Sequence, residues 1–472
     1  MSTETARQKV DLLLQARWII PIVPANVFYE NHTLVIHDGK ILNILPSADA
    51  KAKYDGEEPL SADAQNDTVL LPGLINAHTH AAMSLFRSYV DAVPLMEWLQ
   101  EYIWPAEAKF VGEDFVRTGT RLAAAEMIRC GVTMFSDMYF FPDVSAGVVE
   151  AAGMRATLGA PIINMPSAWA SDTAAYFQRA VDLVKEYQSH PLIDITLAPH
   201  APYTVGCTGF KRLCALSKEH NMRIHTHLHE SAATVGMPIP KDDLAEEKDL
   251  PAEDPCRPLE RLRRLGVLND RLIAVHMTDV TDEEHLLVKE AKVSVVHCPE
   301  SNLKLGSGIC PLNKFIREGV NVAIGTDGAA SNDDLDVFGE LRTASLLDKM
   351  ESAKAQVPAL HAHVFLEMAT INGARALGVE NRLGSLEIGK QADVVAVKMR
   401  TEPVYNPITN LVHVGTNSVT DVWVQGKCLL KAGELQTLDE KQLQSEGRAF
   451  GQKILEWAAR EHSDSNLSAT PA

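Results

Sequence analysis

The segment Leu70-Leu71-Pro72-Gly73-Leu74-Ile75-Asn76-Ala77-His78-Thr79-His80 closes a short apolar run with two histidines two residues apart. In an extended strand residues i and i+2 share a face, so His78 and His80 converge. Two imidazoles held side by side at the end of a buried strand are placed to grip a divalent cation. Alone, the pair reads equally well as surface histidines beyond a strand, and the other polar residues must decide.

Those residues recur at matching positions. Ala198-Pro199-His200 closes another apolar run, and Arg223-Ile224-His225-Thr226-His227-Leu228-His229-Glu230 carries three histidines and a glutamate. Val275-His276 and Gly325-Thr326-Asp327-Gly328 close two more. A structural histidine or a capping aspartate explains any one of them. Five runs that each deliver His, Glu or Asp are not explained that way, because nothing structural requires them all on one face.

The elements that must carry them alternate regularly. Apolar β-type runs fall at 69–77, 131–137, 154–160, 192–199, 222–228, 272–277, 293–298 and 321–326. Helical patterns lie between, as in Glu113 to Arg129, Thr173 to Gln188, Phe210 to His220 and Asp282 to Lys292. Such a count of β-then-α units suits a closed (β/α)8 barrel, whose chemistry sits at the C-terminal ends of its strands. A doubly wound sheet fits less well, since no glycine-rich phosphate turn follows the first strand. Short β segments precede the alternation, with Asp38-Gly39 as a hairpin signal, and others follow it, with Gln425-Gly426 as a turn. The two chain ends are therefore expected to form one small β domain around an inserted barrel. Residues 361–379 and 438–461 read as helical, and Ser463 to Ala472 as a frayed tail.

The chain has 472 residues, 46% of them hydrophobic, enough for a barrel with additions. A formal charge of −18 repels phosphate backbones, so no nucleic-acid partner is expected. Seven scattered cysteines without a CxxC pair point to reduced thiols in a cytoplasmic protein. No membrane span or signal peptide is evident, so no membrane partner is expected.

Together these motifs resemble the amidohydrolase superfamily, in the branch of the 5'-methylthioadenosine/S-adenosylhomocysteine deaminases and triazine hydrolases. The resemblance rests on PGLINAHTH, THLHE, AVHM, HCPESNLKLGSG, GTDGAASNDDLDVFGELR and ATINGARALGVENRLGSLEIGKQADVV. It implies a metal-dependent (β/α)8 TIM-like barrel over 70–383, with a composite β-sandwich from 1–69 and 384–435. A C-terminal helix and tail would occupy 436–472. It also implies a metal held by His78, His80, His227 and Asp327, with homo-oligomer assembly by analogy. Three imidazoles and a carboxylate suit Zn2+, and the same ligand types accept Fe2+ or Mn2+. Within strand 5 the pattern alone leaves His225, His227 and His229 open as ligands; the spacing to Glu230 favours His227. His225 and His229 then read as packing or as hydrogen-bond partners of the ligands.

The implied reaction is hydrolytic deamination of an adenosine analogue, with a water made nucleophilic near neutral pH by the metal. Asp327 would take the water proton, His276 would steady the developing charge, and Glu230 would protonate the purine ring nitrogen. His200 and Glu107 match positions that hold the nucleoside, Glu107 at the ribose hydroxyls. Some members carry an arginine near the end of the third strand, suited to a homocysteine carboxylate. Here that strand starts with Arg155 and ends Ala160-Pro161-Ile162-Ile163, an apolar end that favours a methylthio group, with Trp104 and Trp169 as further pocket or core residues. The charged, proline-containing stretch 236–258 reads as a lid or a solvated insertion. Guanine deamination and triazine dechlorination are the rival activities, and a non-catalytic scaffold is the rival of another class.

Overall fold

The computed structural model describes residues 7–61, 64–240 and 256–461. Eight strands run in chain order: Leu74–Thr79, Val132–Met138, Arg155–Ile162, Ile193–Pro199, Ile224–Leu228, Leu272–His276, Ser294–His297 and Val322–Ile324, hereafter barrel strands 1 to 8. Each pairs in parallel with its neighbours. Most of their residues are buried whichever face they occupy, as expected for a parallel sheet wrapped in helices. The seam between strands 8 and 1 is joined largely by side chains. Asn76 Nδ2 donates to Thr326 Oγ1 at 2.7 Å, Thr326 N donates to Asn76 Oδ1 at 3.0 Å, and Asp327 N donates to His78 O at 3.0 Å.

Two of the barrel helices start at side-chain caps that the sequence supplies. Asp172 accepts from Ala175 N ahead of Thr173–Tyr187, and Thr281 and Glu284 form a reciprocal capping box ahead of Asp282–Glu290. The helical stretch expected at 361–379 is two helices, Ala362–Met368 and Ile371–Leu377. Between them Thr370 leaves the helical conformation, and its hydroxyl donates to Leu366 O. The last helix, Glu440–Glu461, lies where the pattern placed it.

Both chain ends build a second sheet of nine strands. Its N-terminal share is Gln8–Ile19, Tyr29–His37, Lys40–Pro46, Tyr54–Glu57 and Thr68–Pro72. Its C-terminal share is Val394–Lys398, Ser418–Val424, Lys427–Lys431 and Glu434–Leu435, joined to the rest where Val394–Lys398 pairs with Thr68–Pro72. The expected turns are present, with left-handed backbone at Asp38, Gly39, Gln425 and Gly426. Alternate residues serve two cores: Val69, Leu71, Val395 and Val397 face the barrel, whereas Leu70, Val394, Ala396 and Trp423 enclose a core within the sheet.

The apolar run read as one strand over 69–77 divides at Gly73. Thr68–Pro72 belongs to the terminal sheet and Leu74–Thr79 to the barrel. A Cβ at Gly73 would stand 2.1 Å from Thr133 Oγ1, so only glycine lets the chain pass between the two sheets. Arg155 adds a second link, donating from Nε and Nη2 to the two oxygens of Asp393 at 2.7 and 3.2 Å. That buried pair places Arg155 away from the barrel mouth, in the structural role its position at a strand start suggests.

Among the described residues no helix is long and apolar enough to cross a membrane. All seven cysteines are free thiols. Most of the charged 236–258 stretch and the Ser463 to Ala472 tail lie outside the described residues.

Candidate metal centre and active site

Strand 1 is buried at every residue to Thr79, and the chain then turns into a short 3-10 helix, Ala81–Phe86. His78 and His80 thus stand at the strand end with ring centroids 4.9 Å apart. Strand 5 brings His227 beside them, Nε2 to Nε2 at 3.3 Å from His80. Strand 8 ends three residues before Asp327, whose left-handed backbone (φ 63°) turns its carboxylate inward. Asp327 Oδ1 lies 3.5 Å from His78 Nε2 and 3.2 Å from His80 Nε2. One donor atom from each of the four falls within 4.8 Å of all the others. Ligands about 2.1 Å from one tetrahedral cation are separated by about 3.4 Å, so this spacing fits a single ion.

The outer ring nitrogens agree. His80 Nδ1–H donates to Met138 O, and His227 Nδ1–H donates to His200 O at 2.7 Å. His78 Nδ1 is 3.0 Å from His225 Nε2, and His225 Nδ1 is 3.2 Å from Ser136 Oγ. With protons on each Nδ1, the three Nε2 lone pairs converge on one point. His78 Nε2 is buried without a hydrogen-bond partner. The donor set therefore fits a divalent cation on chemistry, tautomer and spacing together.

The alternatives on strand 5 separate cleanly. His225 backs His78, as described. His229, past the strand end with φ 50°, donates from Nδ1 to Asp279 O at 2.9 Å and accepts from Leu259 N at 3.1 Å. His227 alone of the three joins the cluster.

Burial opposes ionisation of Asp327, but the imidazoles of His78 and His80 beside it hold its carboxyl well below the usual range. Burial likewise depresses His80, yet Asp327 outweighs it and lifts the imidazole to about 9. A cation taking that Nε2 lone pair displaces a proton, so loading strengthens as pH rises. Burial pushes Glu230 up, favouring its protonated form. Its Oε1 lies 3.8 Å from His276 Nε2, which has no hydrogen-bond partner of its own. His276 Nδ1–H donates to Asn302 Oδ1 at 2.8 Å, and Ser301 Oγ donates to Asp327 Oδ2 at 2.7 Å. The HCPESN motif thus holds Asp327 of the cluster and its neighbour His276 from one helix start, Pro299–Lys304, a task the spacing along the chain did not reveal.

These groups open on a cavity of about 330 Å³. His80, His200, His227, Glu230 and Asp327 form its polar floor, with Glu107 on the wall. His200 is depressed to about 3 by burial and stays neutral, with Nδ1 3.0 Å from Thr204 Oγ1. Glu107 sits on Trp104–Phe110, in the excursion between strand 1 and the first barrel helix, Glu113–Arg129. Burial raises it to about 7, against the pull of a hydrogen bond from Tyr139. Much of the remaining lining is apolar, with Leu95, Trp98, Ile103, Trp104, Ile163 and Met165, and no lysine or arginine is among the described lining residues. Trp104 lines the cavity, whereas Trp169 is not among the lining residues and packs in the core. Trp98 and Tyr139 were not foreseen; the position of Tyr139 directly after strand 2 is the signal that could have found it.

A barrel mouth that gathers three imidazoles, a buried aspartate and a buried glutamate defines a metal-dependent hydrolase. The chain belongs to the amidohydrolase family, whose model matches residues 69–429. It is 44% identical to a 5-methylthioadenosine/S-adenosylhomocysteine deaminase of Saccharophagus degradans, covering 95% of this chain and 98% of that protein. A protein of the same name from Teredinibacter turnerae is 42% identical over 94% of this chain and 98% of its own length. Among solved structures, a zinc-bound adenosine deaminase of Xanthomonas campestris superposes with a TM-score of 0.87 at 45% identity, covering 96% of this chain and all of that one. The atrazine chlorohydrolase TrzN of Arthrobacter aurescens, at 22% identity and a TM-score of 0.80, covers 93% of this chain and 100% of that one and shares the fold alone.

Proposed function

We propose that the chain deaminates adenosine nucleosides hydrolytically, with 5'-methylthioadenosine as the preferred substrate and zinc as the metal. The observation that carries this reading is the cluster of His78, His80, His227 and Asp327 beside Glu230, whose protonated form burial favours, at a cavity with a largely apolar lining. The deaminases and the zinc-bound structure to which the chain is similar support it. The cation supplies Lewis acidity that makes water a nucleophile near neutral pH.

The residues then divide the work. Asp327, held ionised, accepts the proton of the attacking water. Glu230, whose protonated form burial favours, gives its proton to the purine ring nitrogen as oxygen bonds to the amino-bearing carbon. His276, with Nδ1–H committed to Asn302, presents its Nε2 lone pair to the O–H of the attacking water and orients it. The proton on Asp327 passes to the amine, the carbon–nitrogen bond breaks as the carbonyl forms, the hydroxyl proton of the adduct returns to Glu230, and ammonia departs. His200 and Glu107 hold the nucleoside, and the carboxylate of Glu107 accepts from the ribose hydroxyls. The free thiols and acidic surface suit a reducing, cytoplasmic setting.

The apolar lining distinguishes the two substrates in the relatives' name. A methylthio group exchanges water for Leu95, Trp98 and Ile103, whereas a homocysteine tail would bring charged groups to a wall without a described cationic partner. The test is ammonia release from 5'-methylthioadenosine, S-adenosylhomocysteine, adenosine and guanine, each with and without chelator. Expected are metal-dependent turnover of the adenosine compounds, none of guanine, and kcat/KM higher for the methylthio compound than for S-adenosylhomocysteine by about tenfold or more. Preference for S-adenosylhomocysteine sinks the assignment of the tail; ammonia from guanine alone sinks the substrate class.

A further inference from the structure

Tyr139 is the first residue after barrel strand 2, buried at 6% exposure, and its ring centroid is 6.3 Å from that of His80. Its hydroxyl donates to Glu107 Oε1 at 2.8 Å. Glu107 itself stands on the excursion that follows strand 1, so this bond ties a wall of the cavity to the barrel rim. Both residues line the cavity. A glutamate on a partly exposed helix has several rotamers available, and a ligand that needs one of them must bear the cost of selecting it. The phenol removes that cost in advance: with Oε1 engaged, Oε2 is left to accept from a substrate.

We infer that Tyr139 is a positioning residue for the nucleoside: it clamps Glu107 Oε1 so that Oε2 meets the ribose diol, and thereby sets the preference for ribonucleosides. The inference rests on the deaminase reading and on Glu107 as the ribose contact. A phenol O–H also favours the ionised carboxylate, the better hydrogen-bond acceptor, over the neutral acid. The aromatic ring has a separate task, because it packs tilted against His80 and edge-on against Phe140. Removing only the hydroxyl therefore separates positioning from packing.

The experiment measures kcat and KM for 5'-methylthioadenosine and for its 2',3'-dideoxy analogue. It uses the wild type, Tyr139→Phe, Glu107→Gln and the double variant, each with its metal content determined. The wild type is expected to prefer the ribonucleoside, and Tyr139→Phe to cut that preference by about tenfold, through KM, with full metal content. Glu107→Gln is expected to erode the same preference, and Tyr139→Phe to add nothing further in its background. An unchanged preference in Tyr139→Phe or in Glu107→Gln overturns the inference. So does an equal loss on both nucleosides, the mark of a merely structural hydroxyl, or a further drop in the double variant. Wild-type protein that releases no ammonia from either nucleoside sinks the deaminase reading itself; turnover with an unmoved preference sinks only the role of Tyr139.

Discussion

Three histidines of one short segment meet three different ends. His227 joins the four-residue cluster whose spacing fits a cation, His225 supports His78 from behind, and His229 is spent on Asp279 and Leu259. A partner that orients a ligand ring is worth about 10- to 100-fold in affinity or activity. His225→Leu is accordingly expected to weaken zinc binding by about that factor, read by dialysis against a competing chelator, while the apo protein keeps its fold by circular dichroism. Glu107 gives a pH-dependent prediction. Burial raises it to about 7, and as a carboxylate it is the stronger acceptor. KM for the ribonucleoside should therefore fall as pH rises through about 7, and a dideoxy analogue should not show that fall. A flat KM profile for the ribonucleoside would remove Glu107 from the ribose.

The seam between strands 8 and 1 controls the geometry of the centre, because it carries both His78 and Asp327. Backbones approach so closely there that a Cβ on Gly325 would lie 2.8 Å from His78 Cβ and 2.9 Å from His78 N. Strand 8 cannot yield without moving Asp327, whose N–H bonds to His78 O. Gly325→Ala should cost about 1–3 kcal/mol through overpacking. It should also reduce zinc content, measured by atomic absorption on the folded fraction; full zinc content at normal stability would contradict the tight seam. At the ends of strands 6 and 8 both His276 and Asp327 adopt left-handed backbone, at φ 76° and 63°. Non-glycine residues rarely do so, and here that turn coincides with the side chains aimed at the cluster.

Across the whole molecule, the terminal sheet and the barrel share one core through alternate residues of Thr68–Pro72 and Val394–Lys398. The Arg155–Asp393 pair reinforces that junction, and Asp393 Oδ1 also accepts from Gln425 N. Removing one member of a buried pair leaves the other charge unsatisfied, at about 3–5 kcal/mol. Arg155→Ala should lower stability to denaturant by that amount, with zinc content unchanged in the protein that remains folded. A change within about 0.5 kcal/mol, the range of surface substitutions, would show the link to be dispensable.

Local pattern was enough for the eight alternating units, the helix starts at Thr173 and Asp282, the turns at Asp38-Gly39 and Gln425-Gly426, and the histidine-bearing strand ends. Each depends on periodicity, capping or turn chemistry among residues a few positions apart, which a linear reading can see. The division of 69–77 between two sheets was hidden, since both halves are equally apolar and only the approach of Thr133 to Gly73 separates them. Hidden too were the His78–His225 contact across 147 positions, the Asn76–Thr326 seam across 250 and the Tyr139 clamp on Glu107 across 32. Contacts of that kind follow from how strands are curled and packed in space, and a chain carries no local mark of which distant side chain will face it.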